Sequence, residues 1–148
     1  MRRKLTPYRT KGDAKGVSAA LLVLSTTLDC DGVGLALGLE PTERTPGDPA
    51  SPHEFRKAAA WALSSAGRVA SPDLRDHIDW LLEQLFPAKA KLADLREREG
   101  VDARLSFRYP HSPMSGPVLW PRHLKALADL GLEVSFAAMP EDCPSPRS

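Results

Sequence analysis

Fourteen prolines punctuate this chain of 148 residues, and their placement constrains the fold more than any motif in it. Proline lacks a backbone N–H and has a fixed φ, so helix interiors and central strands exclude it. Pro41, Pro46, Pro49 and Pro52 share one stretch, and Pro110, Pro113 and Pro117 share another. Pro140, Pro144 and Pro146 lie near the C-terminus, and Pro7 lies in a basic N-terminal segment. Pro72, Pro87 and Pro121 stand where helices can begin, because the first turn tolerates a missing donor. Regular structure is therefore confined to the intervals between these marks.

In those intervals the hydrophobic periods are readable. Val17 to Thr26 is an apolar run that reads as a strand, covered on both faces or central in a sheet. Asp29 caps a short helix through about Leu37, with Gly38 as its stop. Gly32 and Gly34 each weaken that helix by roughly 1 kcal/mol relative to Ala. Residues 40–56 read as a polar loop, and 58–65 as a strand with Ala59, Trp61 and Leu63 on one face. Ser71-Pro72-Asp73 opens a helix carrying Leu74, Ile78, Leu81, Leu82 and Leu85. Pro87 restarts or kinks it, and Ala88, Leu92 and Leu95 continue the stripe to Gly100.

The clearest strand follows, with Val101, Ala103, Leu105, Phe107 and Tyr109 alternating with Asp102, Arg104, Ser106 and Arg108. After the loop 110–119, Pro121 opens a helix with Leu124, Leu127 and Leu130 inward and Gly131 as its cap. Leu132, Val134, Phe136 and Ala138 form the last strand. The order β-α-β-αα-β-α-β predicts an α+β fold: a two-layer α/β sandwich with helices on one face. Its single sheet has four strands, mostly antiparallel or mixed, because alternation implies one packed and one wetter face.

Length and composition set the class. The chain suits one domain at 16–139, preceded by a disordered basic arm at 1–15 and followed by a disordered tail at 140–148. The net charge of +1 conceals a split. Residues 1–15 carry six basic residues against Asp13, whereas the remainder carries 14 basic and 18 acidic residues. Such a body does not work by neutralising phosphates, so nucleic acid is expected only through the arm. The longest apolar run, Ala19 to Leu24, falls far short of the ~20 residues of a membrane span, and no Ala-x-Ala site follows it. No membrane role is expected. A cytoplasmic protein with free thiols at Cys30 and Cys143 is the expectation.

The residues that carry chemistry are sparse. His53, His77, His111 and His123 have no ligand-like spacing, so no metal and no cofactor are expected. Cys30 sits at a helix start, where the dipole lowers a thiol pKa, yet no base accompanies it, and it reads as a small packed residue. Gly32 and Gly34 lack the Lys-Ser/Thr of a phosphate loop. Trp61 and Trp80 read as core. The binding candidates are Arg104 and Arg108 on one strand face, Asp48 and His111 on the proline-rich loops, and Trp120 as an exposed aromatic. The plain alternative for the arginines is cross-strand pairing with a neighbour such as Glu133.

A family resemblance rests on several pieces at once. Leu28-Asp29-Cys30-Asp31, Leu35-Ala36-Leu37-Gly38-Leu39-Glu40-Pro41-Thr42, and Gly47-Asp48-Pro49 come first. Trp61-Ala62-Leu63-Ser64-Ser65, His77-Ile78-Asp79-Trp80-Leu81-Leu82, and Leu127-Ala128-Asp129-Leu130-Gly131-Leu132 follow. Across roughly residues 17–139 the chain resembles bacterial proteins grouped as domain of unknown function 4279. The resemblance implies a small bacterial α/β domain and assigns no activity or catalytic residue. Cys30 stands where that pattern has Pro, Trp120 replaces a small capping residue, and the basic arm lies outside it.

With no catalytic set in the sequence, the leading expectation is a non-enzymatic protein-interaction domain of the immunity or accessory type. Its acidic body suits a basic protein partner, through gains in on-rate and specificity. A second expectation is a small-molecule-binding domain or small enzyme with a pocket between the sheet and loops 40–56 and 110–119. A third is a nucleic-acid accessory role through the arm. The sequence leaves the oligomeric state open.

Overall fold

The computed structural model describes residues 16–114 and 116–140. The expectations placed on the arm at 1–15 and on tail residues 141–148 lie outside them. Five strands form one open mixed sheet, in the order β2-β3-β1-β4-β5. They are β1 (Ser18–Ser25), β2 (Glu43–Thr45), β3 (Ala59–Ser64), β4 (Val101–Pro110) and β5 (Val134–Met139). Between them run α1 (Cys30–Leu37), a single turn α2 (Glu54–Lys57), α3 (Leu74–Leu85), α4 (Lys89–Arg96) and α5 (Pro121–Leu130). All strand pairs are antiparallel except β4 with β5, which α5 joins by a crossover.

The architecture is the expected two-layer sandwich, with one correction: the sheet has five strands, not four. The extra strand, β2, lies inside the stretch read as a loop. Thr42 fixes it there, its N–H donating to Ala62 O at 2.8 Å and its Oγ1 accepting Ser64 N–H at 2.8 Å. Gly47 then packs directly on the Lys57–Ala59 backbone, where a Cβ would meet Lys57 O at 2.5 Å.

Local signals explain the helices. Asp29 Oδ1 caps α1 by accepting Gly32 N–H at 2.7 Å, and Gly38 ends it at φ +70°. The start of α3 is two residues later than Ser71: Asp73 is the cap, accepting Arg75 N–H, while Ser71 Oγ donates to Asp76. Pro87 sits in a 3₁₀ turn, Phe86–Ala88, that joins α3 to α4. On α5, Leu127 and Leu130 are buried, but Leu124 faces outward at 56% exposure, and His123 takes the inward position instead.

The core lies between the helices and one face of the sheet. Ala19, Leu21 and Val23 of β1, Ala59, Trp61 and Leu63 of β3, and Ala103, Leu105 and Phe107 of β4 all point into it. Ile78, Leu81, Leu85, Leu92 and Leu95 close it from the helical side. β1 is central, as its apolar run suggested, but only its odd-numbered residues lie under helices. No helix among the described residues is long and apolar enough to cross a membrane.

Candidate functional site

The even-numbered residues of the central strands form the second face of the sheet. Strand register arranges them in rows. Thr45, Ala60, Leu24 and Asp102 make one row, and Glu43, Ala62, Leu22 and Arg104 the next. Ser64, Ala20, Ser106 and Ser135 make the third, and Ser18, Arg108 and Ala137 the fourth. Small side chains therefore floor the middle of this face, with Leu22 and Leu24 half-buried among them. At ~4.8 Å per strand, Glu43 and Arg104 stand roughly 14 Å apart across that floor. The result is a shallow trough: clefts of about 260 Å³ and 100 Å³ adjoin at Leu22, Glu43 and Ala62.

Its two arginines differ. Arg104 is held in place by an ion pair with Asp102 and by Glu133 at 3.6 Å. The hydrogen bond that Arg104 donates to Asp102 raises the Arg104 pKa. The plain reading, cross-strand pairing with Glu133, thus applies to this residue. Arg108 is exposed and makes no ion pair among the described residues.

Asp48 belongs to the same side of the molecule, at the β2 end. Its Oδ1 accepts Ala50 N–H at 3.0 Å in a turn. It lines a third cleft, of about 540 Å³, with Leu24, Thr45, Pro46, Arg56 and Ala60. His111 follows β4 and is exposed, its N–H donating to Met139 O at 2.7 Å. Arg104, Arg108 and Asp48 are therefore brought to one face, whereas Trp120 is not.

Trp120 is a correction to the expected exposed aromatic. It is half-buried in the helical layer, where the guanidinium of Arg75 lies 4.4 Å from its ring centroid and that of Arg122 lies at 5.4 Å. Arg75 is itself buried and doubly bonded to Asp73, with contacts of 3.0 and 2.9 Å. The neighbouring His123 is fully buried, and its Nδ1 accepts Trp120 N–H at 3.1 Å. Its Nε2 therefore carries the proton and donates to Asp79 Oδ1 at 2.9 Å. Arg122 donates to both oxygens of Asp79, at 2.7 and 3.0 Å. Burial lowers the His123 pKa and outweighs the pull of Asp79. Burial alone would raise the Asp79 pKa, but bonds from Arg122 and His123 turn the net shift downward. This cluster ties α3 to α5.

A second buried pair resembles catalytic machinery but is closed. His77 Nε2 donates to Ser71 O at 2.7 Å, so its Nδ1 accepts the Ser65 hydroxyl proton at 2.6 Å. Ser65 Oγ in turn accepts Ala19 N–H at 2.8 Å. Both side chains are fully buried, so the serine oxygen has no access to a substrate. Cys30 is likewise spent: its buried thiol donates to Ala60 O at 3.3 Å, beside Thr45 O. Trp61 is core as expected, although its Nε1 has no partner among the described residues. No three His, Cys, Asp or Glu side chains among the described residues gather as metal ligands.

Sequence reasoning missed Glu43, Leu22, Ala62 and Ser64 as neighbours of the arginines. The even positions of the run Ser18 to Ser25 and of the strand at 58–65 carry the signal for Leu22, Ala62 and Ser64, and β2 has none. The Asp79–Arg122–His123 cluster joins residues too far apart in the chain to signal each other. A family model described as Domain of unknown function (DUF4279) matches residues 15–140. No curated protein and no solved structure matches the chain.

Proposed function

The chain belongs to the DUF4279 family, and from that premise we propose that it is a non-enzymatic protein-interaction domain, of the immunity or accessory type, that docks through the open face of its sheet. One observation carries this reading. The face opposite the helices is uncovered among the described residues, with an apolar floor at Leu22, Leu24, Ala60 and Ala62 and charges at its borders. An apolar floor rimmed by polar groups is the form an interaction site takes. The arginines divide the labour. Arg104, fixed by Asp102 and Glu133, shapes the wall, while Arg108, with no ion pair among the described residues, takes a carboxylate from the partner. Glu43, on the opposite border, takes a cation. The partner surface is therefore apolar at its centre and carries charges of both signs, which refines the simpler expectation of a basic partner.

The test is site-specific photo-crosslinking in the native host. A probe at Ser106 should trap one protein partner, and Arg108→Glu should reduce that yield at least tenfold. A probe at Leu124, on the helical surface, is the control. Capture at Leu124 with none at Ser106 overturns the proposal.

A second reading, small-molecule binding, is favoured by the cleft beside Asp48. Its volume of about 540 Å³ lies in the range of ligand pockets. It is bounded by the sheet and by residues 45–58 rather than by loop 110–119. A small-molecule screen by thermal shift, with Asp48→Ala as the control, distinguishes this reading. A hit lost in that variant favours it over docking.

A further inference from the structure

The two edges of the sheet are unlike. β2 is three residues long, two of them charged, and prolines stand nearby on either side at Pro41 and Pro46. Shortness, charge and proline are the devices that stop an edge from pairing with another chain. β5 is flanked by Glu133 and Pro140 but has neither charge nor proline within its span. It runs for six residues, Val-Ser-Phe-Ala-Ala-Met. Among the described residues no other strand pairs with its outer side.

Backbone direction along β5 follows from its parallel pairing with β4. Leu105 N–H donates to Glu133 O and His111 N–H to Met139 O. In a parallel ladder the groups alternate, so residues 133, 135, 137 and 139 turn their N–H and C=O toward β4. Val134, Phe136 and Ala138 then turn theirs outward. Phe136 also presents its ring: it packs edge-on against Phe107 and Tyr109, yet remains 48% exposed.

We propose that β5 pairs antiparallel with β5 of a second copy of this chain, about a two-fold axis through Phe136. The parity selects this register. Antiparallel partners that exchange both hydrogen bonds must each turn their groups outward and must share a face. Centring on Phe136 sets it against Phe136 of the second copy and pairs Val134 with Ala138 in both directions, so all three outward-facing residues are used. Centring on Ala137 would pair residues whose groups are already committed to β4. The chosen register also brings the two exposed phenylalanines together, an aromatic cross-strand pair. On the other face only Ser135 and Ala137 meet, so nothing bulky or charged opposes the contact. The contact is self-complementary, as a two-fold interface requires. Two sheets become one of ten strands, with both open faces on the same side. The inference does not depend on what binds there.

The test uses the full chain. Analytical ultracentrifugation should show a monomer–dimer equilibrium, and amide exchange resolved by residue should report its geometry. As concentration rises, Val134, Phe136 and Ala138 should gain protection at least tenfold. Ser135 and Ala137, already bonded to β4, should change little. Ala138→Pro removes an outward donor, and Phe136→Lys sets two cations face to face; each should shift the equilibrium to monomer, with circular dichroism confirming the fold. The proposal is overturned by a monomer up to millimolar concentration. It is equally overturned by a dimer in which these three amides gain no protection, or by a strand of a different protein occupying this edge in place of the second copy.

Discussion

The covered and open faces of the sheet are made by the same three central strands, residue by alternating residue. On the covered side the positions are apolar and closed: Leu21, Trp61, Leu105 and Phe107 are almost wholly buried beneath α1, α3 and α4. On the open side the residues directly between them are Ala20, Leu22, Ala62, Ser106 and Arg108. The polar groups differ in the same way. On the covered side they are locked in closed networks, Ser65 with His77 and Asp79 with His123 and Arg122. On the open side Arg108 and Glu43 reach into solvent. One face therefore holds the fold together, and the other is left uncovered among the described residues.

The largest test of this division compares matched truncations. Phe107→Ala should destabilise the protein by ~3–5 kcal/mol, the range for large buried side chains. Leu22→Ala, on the half-buried open side, should cost about 1 kcal/mol or less. Urea denaturation midpoints measure both, and equal losses would erase the distinction. A smaller effect is expected from Ser65→Ala, which strands the Ala19 N–H and leaves His77 Nδ1 without its donor. A loss of ~1–3 kcal/mol is expected for such unsatisfied buried groups.

The pH dependence should also follow the covered side. His123 has its pKa lowered, so it contributes stability above its unfolded value of about 6.5, and that contribution fades as pH falls through the folded value. Asp79, also lowered, adds a contribution present above about 4 and lost in stronger acid. Stability should therefore decline from near neutrality downward. Asp79→Asn should be less stable at pH 7 and should lose less below pH ~4. Unfolding curves across that range decide it. Smallest of all, Arg108→Glu should change stability by no more than ~0.5 kcal/mol, although it lies at the proposed docking face.

Much of this was readable beforehand because it rests on local rules. Alternation in Val101–Tyr109 identified β4 and its two faces, and Asp29, Gly38 and Gly131 marked helix ends through capping geometry. β2 was not readable, because Glu43-Arg44-Thr45 has neither period nor apolar residue and is placed by hydrogen bonds from Thr42 to β3. Spacing places Leu124 in the core, but α5 is rotated so that His123 points inward to Asp79. Sequence alone leaves Trp120 exposed, because nothing local shows that Arg75, on another helix, covers its ring. For the site, β4 supplied both arginines, while strand order alone brings Glu43 and Ala62 into their company.

Strand order has one more consequence, for synthesis rather than for the finished fold. Of the five strands, the one at the centre of the sheet is the first to be synthesised. Leu21 must find Leu63 on one side and Leu105 on the other, and β4 begins only at Val101. Contacts so distant in sequence are slow to form. Until then the most apolar segment of the protein, Ala19 to Leu24, has an unpaired edge. Nascent chains with such exposed segments are the ones that aggregate or recruit chaperones. A fold that is stable once complete thus carries its greatest hazard early, in the interval before its fourth strand arrives.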